Sequence, residues 1–90
     1  MAHVSFTPHL RRFFDLPDTF GVEAEDVAAL VRELDEAWPG LGFYITDERG
    51  RLRPHVAIWV DGAQIEHREA LTDVVTPASD VHILQALSGG

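Results

Sequence analysis

The chain has 90 residues, fifteen acidic side chains against seven basic ones, a formal charge of −8 and an apolar fraction of 46%. Such a length fits one domain with a modest core, and such an apolar fraction argues against disorder throughout. The negative charge repels nucleic acid and anionic lipid, so a basic protein partner is expected rather than either of those, while the absence of cysteine excludes disulfides, thiolate-held clusters and a cysteine nucleophile.

In chain order, His3 to Thr7 alternates apolar and polar residues until Pro8 stops it, which predicts a first strand with Val4 and Phe6 facing inward. Pro8 to Asp18 predicts a loop holding one turn of helix, with Leu10, Phe13 and Phe14 at roughly helical spacing around Arg11 and Arg12. Thr19 to Glu23 puts Phe20 and Val22 on one face, and its closeness to the first strand predicts an antiparallel hairpin. Between Ala24 and Trp38, apolar residues at Val27, Leu30, Val31, Leu34 and Trp38 form the stripe of an amphipathic helix. Glu25 and Asp26 fall in its first turn, where they suit the helix dipole; Asp35 and Glu36 sit at the end that disfavours them. Pro39 and Gly40 end the helix.

Leu41 to Ile45 fits either a short helical turn or an extended piece, and Thr46 to Arg53 reads as a solvated loop carrying Arg49, Arg51 and Arg53. A phosphate site on those arginines is disfavoured, because no glycine-rich turn into a helix accompanies them. Strand character is clearest from His55 to Val60, with Val56, Ile58 and Val60 on one face. Asp61-Gly62 is a turn signal into a short strand over Ala63 to Glu66. Leu71 to Val75 predicts another helical turn, and Pro77 to Asp80 turns into a last strand with Val81 and Ile83 inward. Beyond it lies Leu87-Ser88-Gly89-Gly90; two glycines combine the smallest bulk with the widest choice of backbone angles, which suits entry into a narrow channel.

One long helix to cover one sheet, with no room for a second before the last strand, predicts an α+β ubiquitin-like β-grasp fold. Its mixed sheet of four to five strands has the first and last strands parallel at the centre. The whole chain, 1–90, is then one domain, with 87–90 as an exposed tail. The N-terminal residues lack the basic start and apolar run of a signal peptide, and no stretch approaches the roughly 20 apolar residues of a membrane span, so a cytoplasmic location is expected.

With this order ending in two glycines, the chain resembles the MoaD/ThiS family of ubiquitin-like sulfur carriers. The residues that carry the resemblance are Asp26 to Leu34, Val56 to Gly62, and Asp80 to Leu84 running through Ser88-Gly89-Gly90. The resemblance implies that the Gly90 carboxylate is adenylated from ATP by an E1-like enzyme and then converted to a thiocarboxylate, Gly89 and Gly90 threading to the partner's nucleotide. It makes the chain a protein co-substrate rather than an enzyme. ATP is used by the partner, no cofactor is held tightly, and a sulfur-accepting biosynthetic enzyme is the second partner. Molybdopterin synthase small subunits usually run into a Phe-Pro-Pro-like segment before the glycines, whereas this chain has Gln85-Ala86-Leu87-Ser88, and thiamine carriers usually lack a segment as long as Pro39 to Arg53. Cysteine biosynthesis is therefore favoured.

If Val56, Ile58 and Val60 face the helix, Trp59 and Leu84 share the opposite face as a partner-docking patch, joined by Leu87 and Ser88 of the tail; the alternative is that the Pro39 to Arg53 segment covers them. His3, His55 and His82 are expected as neighbours on that outer face, as a surface cluster rather than a metal site. No nucleophile and base pair stands out. Two other functions compete with sulfur transfer: conjugation of Gly90 to lysines of other proteins, and non-covalent binding with an inert tail.

Overall fold

The computed structural model describes residues 1–85. Strand β1 (Ala2–Phe6) leads into a short helix α1 (Pro8–Phe14) and strand β2 (Thr19–Val22), then the main helix α2 (Val27–Ala37) and the short α3 (Leu41–Ile45). Strands β3 (Val56–Val60), β4 (Ala63–Gln64) and β5 (Asp80–Gln85) complete the regular elements among the described residues. The five strands form one sheet in the order β2-β1-β5-β3-β4. β1 and β5 run parallel at its centre, and β3 is antiparallel to β5. This is the β-grasp arrangement, with both inner strands as expected.

Alternation decides which face is buried. Val4 and Phe6 of β1, Val56 and Ile58 of β3, and Val81 and Ile83 of β5 all point inward and are buried. They meet Val27, Leu30, Val31 and Leu34 of α2 in a single core. Each such side chain contributes about 1.5 to 3 kcal/mol when fully buried. Leu10 of α1 and Leu41 and Ile45 of α3 close the same core. Trp38, expected in the helical stripe, is instead the C-cap of α2, half-buried with its ring edge-on to Phe20 at 4.7 Å between centroids.

α2 begins later than the sequence pattern suggests, because Asp26 caps it rather than sitting in its first turn. The Asp26 carboxylate accepts a hydrogen bond from Ala29 N at 2.8 Å. The next free donors, Val27 N and Ala28 N, reach Asp73 O at 3.1 Å and Leu71 O at 2.9 Å. The segment from Leu71 to Val75, expected to be helical, is therefore an extended strap. It satisfies the orphan amides at the start of α2, bridges Asp26 through Val74, and buries Leu71 and Val75. Asp73 also accepts from Glu66 N and His67 N. Burial pushes its carboxyl up, but those two bonds outweigh it and leave it below the usual range.

Asp35, which looked misplaced near the end of α2, serves the next element. Its carboxylate accepts from Gly40 N at 3.1 Å and Gly42 N at 2.9 Å, capping α3 from outside. Gly42 is required there, since a Cβ would stand 2.8 Å from Asp35 Cβ. The Asp61-Gly62 turn has positive φ at both residues, 52° and 83°, as a two-residue hairpin requires.

Candidate functional site

β5 is paired with β1 from Asp80 to Ile83 and with β3 from Val81 to Gln85. Its start is tied down as well: Asp80 N donates to the Asp61 carboxylate at 2.8 Å, and Asp61 N donates to Asp80 O at 2.8 Å. The strand is thus a fixed stem that delivers the chain, at Gln85, to residues 86–90. Gly89, Gly90, Leu87 and Ser88, named from the sequence as tail and partner-binding residues, lie outside the described residues.

What surrounds the end of β5 follows from topology. Because β1 is parallel to it, α1 begins at the same end; because β3 is antiparallel, β3 starts there too, preceded by α3 and its loop. Four rings from these pieces meet, with Phe13, Phe14 and Tyr44 in mutual contact and His55 next in line beyond Tyr44. Phe13 packs on Phe14 at 5.2 Å between centroids and on Tyr44 at 5.3 Å, and Tyr44 stands edge-on to His55 at 6.1 Å. Gln85 Nε2 donates to Tyr44 Oη at 2.6 Å, which fastens this row to the last described residue of the strand. Gly40, Phe43, Tyr44, Arg53 and His55 line a cavity of about 400 Å³.

Arg53 is not part of a solvated loop. Its Nε donates to Phe43 O at 2.8 Å and Thr46 O at 3.1 Å, and its guanidinium lies over the Phe43 ring, 4.8 Å from the centroid. Arg68 braces it by donating from Nη2 to Arg53 O and Val56 O, both at 2.9 Å. Arg51 pairs with Asp47 at 3.2 Å. The Asp47 carboxyl is held below its usual range, chiefly by the hydrogen bond from Arg51 N, with burial opposing and the bond from Arg49 N adding.

The other candidate surface is the outer sheet face. Register pairs Trp59 with His82 and Ala57 with Leu84, so Trp59 and Leu84 do share that face. Trp59 is half-buried and Leu84 is 38% exposed. α3, the helical part of the Pro39 to Arg53 segment, packs with α2 in the core on the opposite side. His3 pairs with Asp80 and Ser5 with His82, which makes His3 and His82 diagonal neighbours. His55 is not with them, because it precedes Val56, the partner of Gln85, at the far end of the pairing. Among the described residues, no group of three or more His, Cys, Asp or Glu side chains is placed to hold a metal ion.

Phe13, Phe43, Tyr44, Arg53 and His55 were missed as a group by reading the sequence. One signal was present: Phe13-Phe14 and Phe43-Tyr44 are adjacent aromatic pairs on short helices, and neither helix can bury both members. Phe13 is 65% and Phe43 53% exposed.

No protein-family model matches the sequence, and no curated protein matches it. Solved structures do. A chain of the BexX/CysO complex of Amycolatopsis orientalis is similar over 100% of both chains, with a TM-score of 0.86 at 18% identity. CysO of Mycobacterium tuberculosis, described as an antigen, is similar over 97% of this chain and 100% of its own, with a TM-score of 0.84 at 20% identity. Small archaeal modifier protein 1 of Methanosarcina acetivorans is similar over 99% of this chain and 95% of its own, with a TM-score of 0.81 at 22% identity. At these identities the likeness establishes the fold: this is a ubiquitin-like β-grasp protein, structurally similar to CysO and to small archaeal modifier protein 1. No helix among the described residues is long and apolar enough to cross a membrane.

Proposed function

We propose that this chain is a sulfur carrier that works through its C-terminal carboxylate. The observation that carries the reading is the placement of β5: the central strand, paired with β1 up to Ile83 and with β3 up to Gln85, hands the chain on at Gln85, just ahead of residues 86–90 and the terminal Gly89-Gly90. A five-residue segment spans at most about 17 Å fully extended, so a rigid domain docked on a partner sets closely where its terminus can act.

The chemistry balances without any side chain of this protein. The Gly90 carboxylate oxygen attacks the α-phosphate of ATP on an E1-like enzyme, and pyrophosphate leaves. The resulting acyl adenylate has a good leaving group, so a sulfide-level nucleophile attacks the carbonyl and expels AMP. The product is a thiocarboxylate, which a sulfur-accepting biosynthetic enzyme consumes. On this reading the chain is a co-substrate rather than an enzyme, holds no cofactor of its own, and works in the cytoplasm. The tail Gln85-Ala86-Leu87-Ser88 and the likeness to the two CysO structures support the cysteine pathway over molybdopterin or thiamine.

A second reading is conjugation of Gly90 to lysines of other proteins, supported by the likeness to small archaeal modifier protein 1. The chain contains no lysine; its seven basic residues are all arginine. An activated copy therefore meets no side-chain amine on another copy. Intact-mass spectrometry of the protein from its own cells, with and without a thiocarboxylate-alkylating reagent, tests the proposal. A mass gain of one oxygen exchanged for sulfur, shifted again by the reagent, is expected. Only the unmodified mass, persisting with an E1-like enzyme, ATP and a sulfur source, would leave non-covalent binding.

A further inference from the structure

We propose that the aromatic cavity at the end of β5 is a second docking site, which takes a peptide segment of a partner protein carrying a carboxylate beside an aromatic side chain. The lining supplies both halves of that recognition. Arg53 is fixed by its Nε, whose two described bonds go to backbone carbonyls, so its terminal nitrogens are presented in one orientation. Guanidinium nitrogens held in this way favour a planar carboxylate and bond it in pairs. Phe43, Tyr44 and His55 supply ring faces and edges, and exposed Phe13 extends the row toward solvent.

Charge selects the occupant. The chain carries fifteen acidic side chains, yet among the described residues none lines this cavity, and Arg53 is the one charged group that does. The neighbouring cavity beside α2 is predominantly acidic, lined by Glu33, Asp35 and Glu36 with Arg32 as its one basic residue. Most of this acidic surface attracts a basic segment and repels an acidic one, but at this cavity the sign is reversed: Arg53 repels a basic segment and offers an acidic one a favourable charge. The inference stands apart from the chemistry at Gly90, because it is read on described side chains.

The test is a nuclear magnetic resonance titration of the full-length chain with N-acetyl-phenylalanine and, separately, with its uncharged amide. The acid should shift the resonances of Phe43, Tyr44, Arg53 and His55 saturably, and the amide should bind about tenfold more weakly, as expected for loss of a charged hydrogen-bond pair. Arg53→Gln should erase the difference between the probes, and Phe13→Ser should weaken both alike. If Arg53→Gln fails to fold, the two probes on the unaltered chain decide alone. Equal affinity for the two probes, no saturable shift, or shifts centred on Trp59 and Leu84 would overturn the proposal. So would displacement of the Gly90 resonance together with the cavity's, because the occupant would then be the chain's own terminus.

Discussion

The outer sheet face and the end of β5 both expose apolar side chains, but by different means. On the sheet, strict alternation spaces them: Ile83 is fully buried while its neighbour Leu84 is exposed, and Trp59 stands across from the polar His82. At the strand end, Phe13 of α1, Tyr44 of α3 and His55 of the turn before β3 come from three separate segments and meet because β1 ends, β3 starts and β5 ends there. A sheet face is therefore a sparse and polar-diluted surface, whereas a strand end can concentrate rings around one fixed charge.

The sharpest way to press that comparison is on adjacent residues of one strand. Ile83→Ala should cost about 2 to 5 kcal/mol in urea unfolding, as a cavity under α2. Leu84→Ala should stay within about 0.5 kcal/mol of the parent, as for an ordinary surface change. Similar losses at both positions would break the assignment of faces. Next in size is Gly42→Ala, whose Cβ collides with Asp35 and displaces α3 and with it Phe43 and Tyr44. A loss of about 1 to 3 kcal/mol is expected, with the Tyr44 and His55 resonances moved and those of Trp59 unmoved.

A smaller effect separates the two surfaces functionally. Trp59→Ala should weaken binding of the activating partner by about tenfold while leaving the fold intact; unchanged affinity would remove the outer face from that interface. Smallest is the response to acid. The Asp47 and Asp73 carboxyls both have folded pKa values below their ordinary ones, so the unfolded chain binds more protons in the window between. Their contribution is fully present above the ordinary Asp range, near about 4, and is lost as pH falls through the lower folded values. Chemical denaturation at pH 5 and pH 3 should show stability falling toward acid, and Asp47→Asn should shrink the fall. The Asp47 loop leads to Arg53, so acid is expected to disturb the strand end before the sheet face.

Period-2 alternation in β1, β3 and β5 and the 3.6-residue stripe of α2 were legible because burial on one face leaves a local pattern in the chain. They determined the sheet's inner face and the helix that covers it, while the parallel central pair was expected from the order of the elements. The strap from Leu71 to Val75 was not legible: its backbone is shaped by the amides of α2, far away in sequence. Asp35 looked wrong for its own helix for a similar reason, as its partners are Gly40 and Gly42 of the next one. His55, expected to open the strand, lies just before β3 and lacks its expected company, because register, which no single strand encodes, set it at the end of β5 with Tyr44. What the sequence determined by itself was each element's own buried face; what only the tertiary structure decided was which strand ends coincide, and so where aromatic rings and one arginine gather beside the tail.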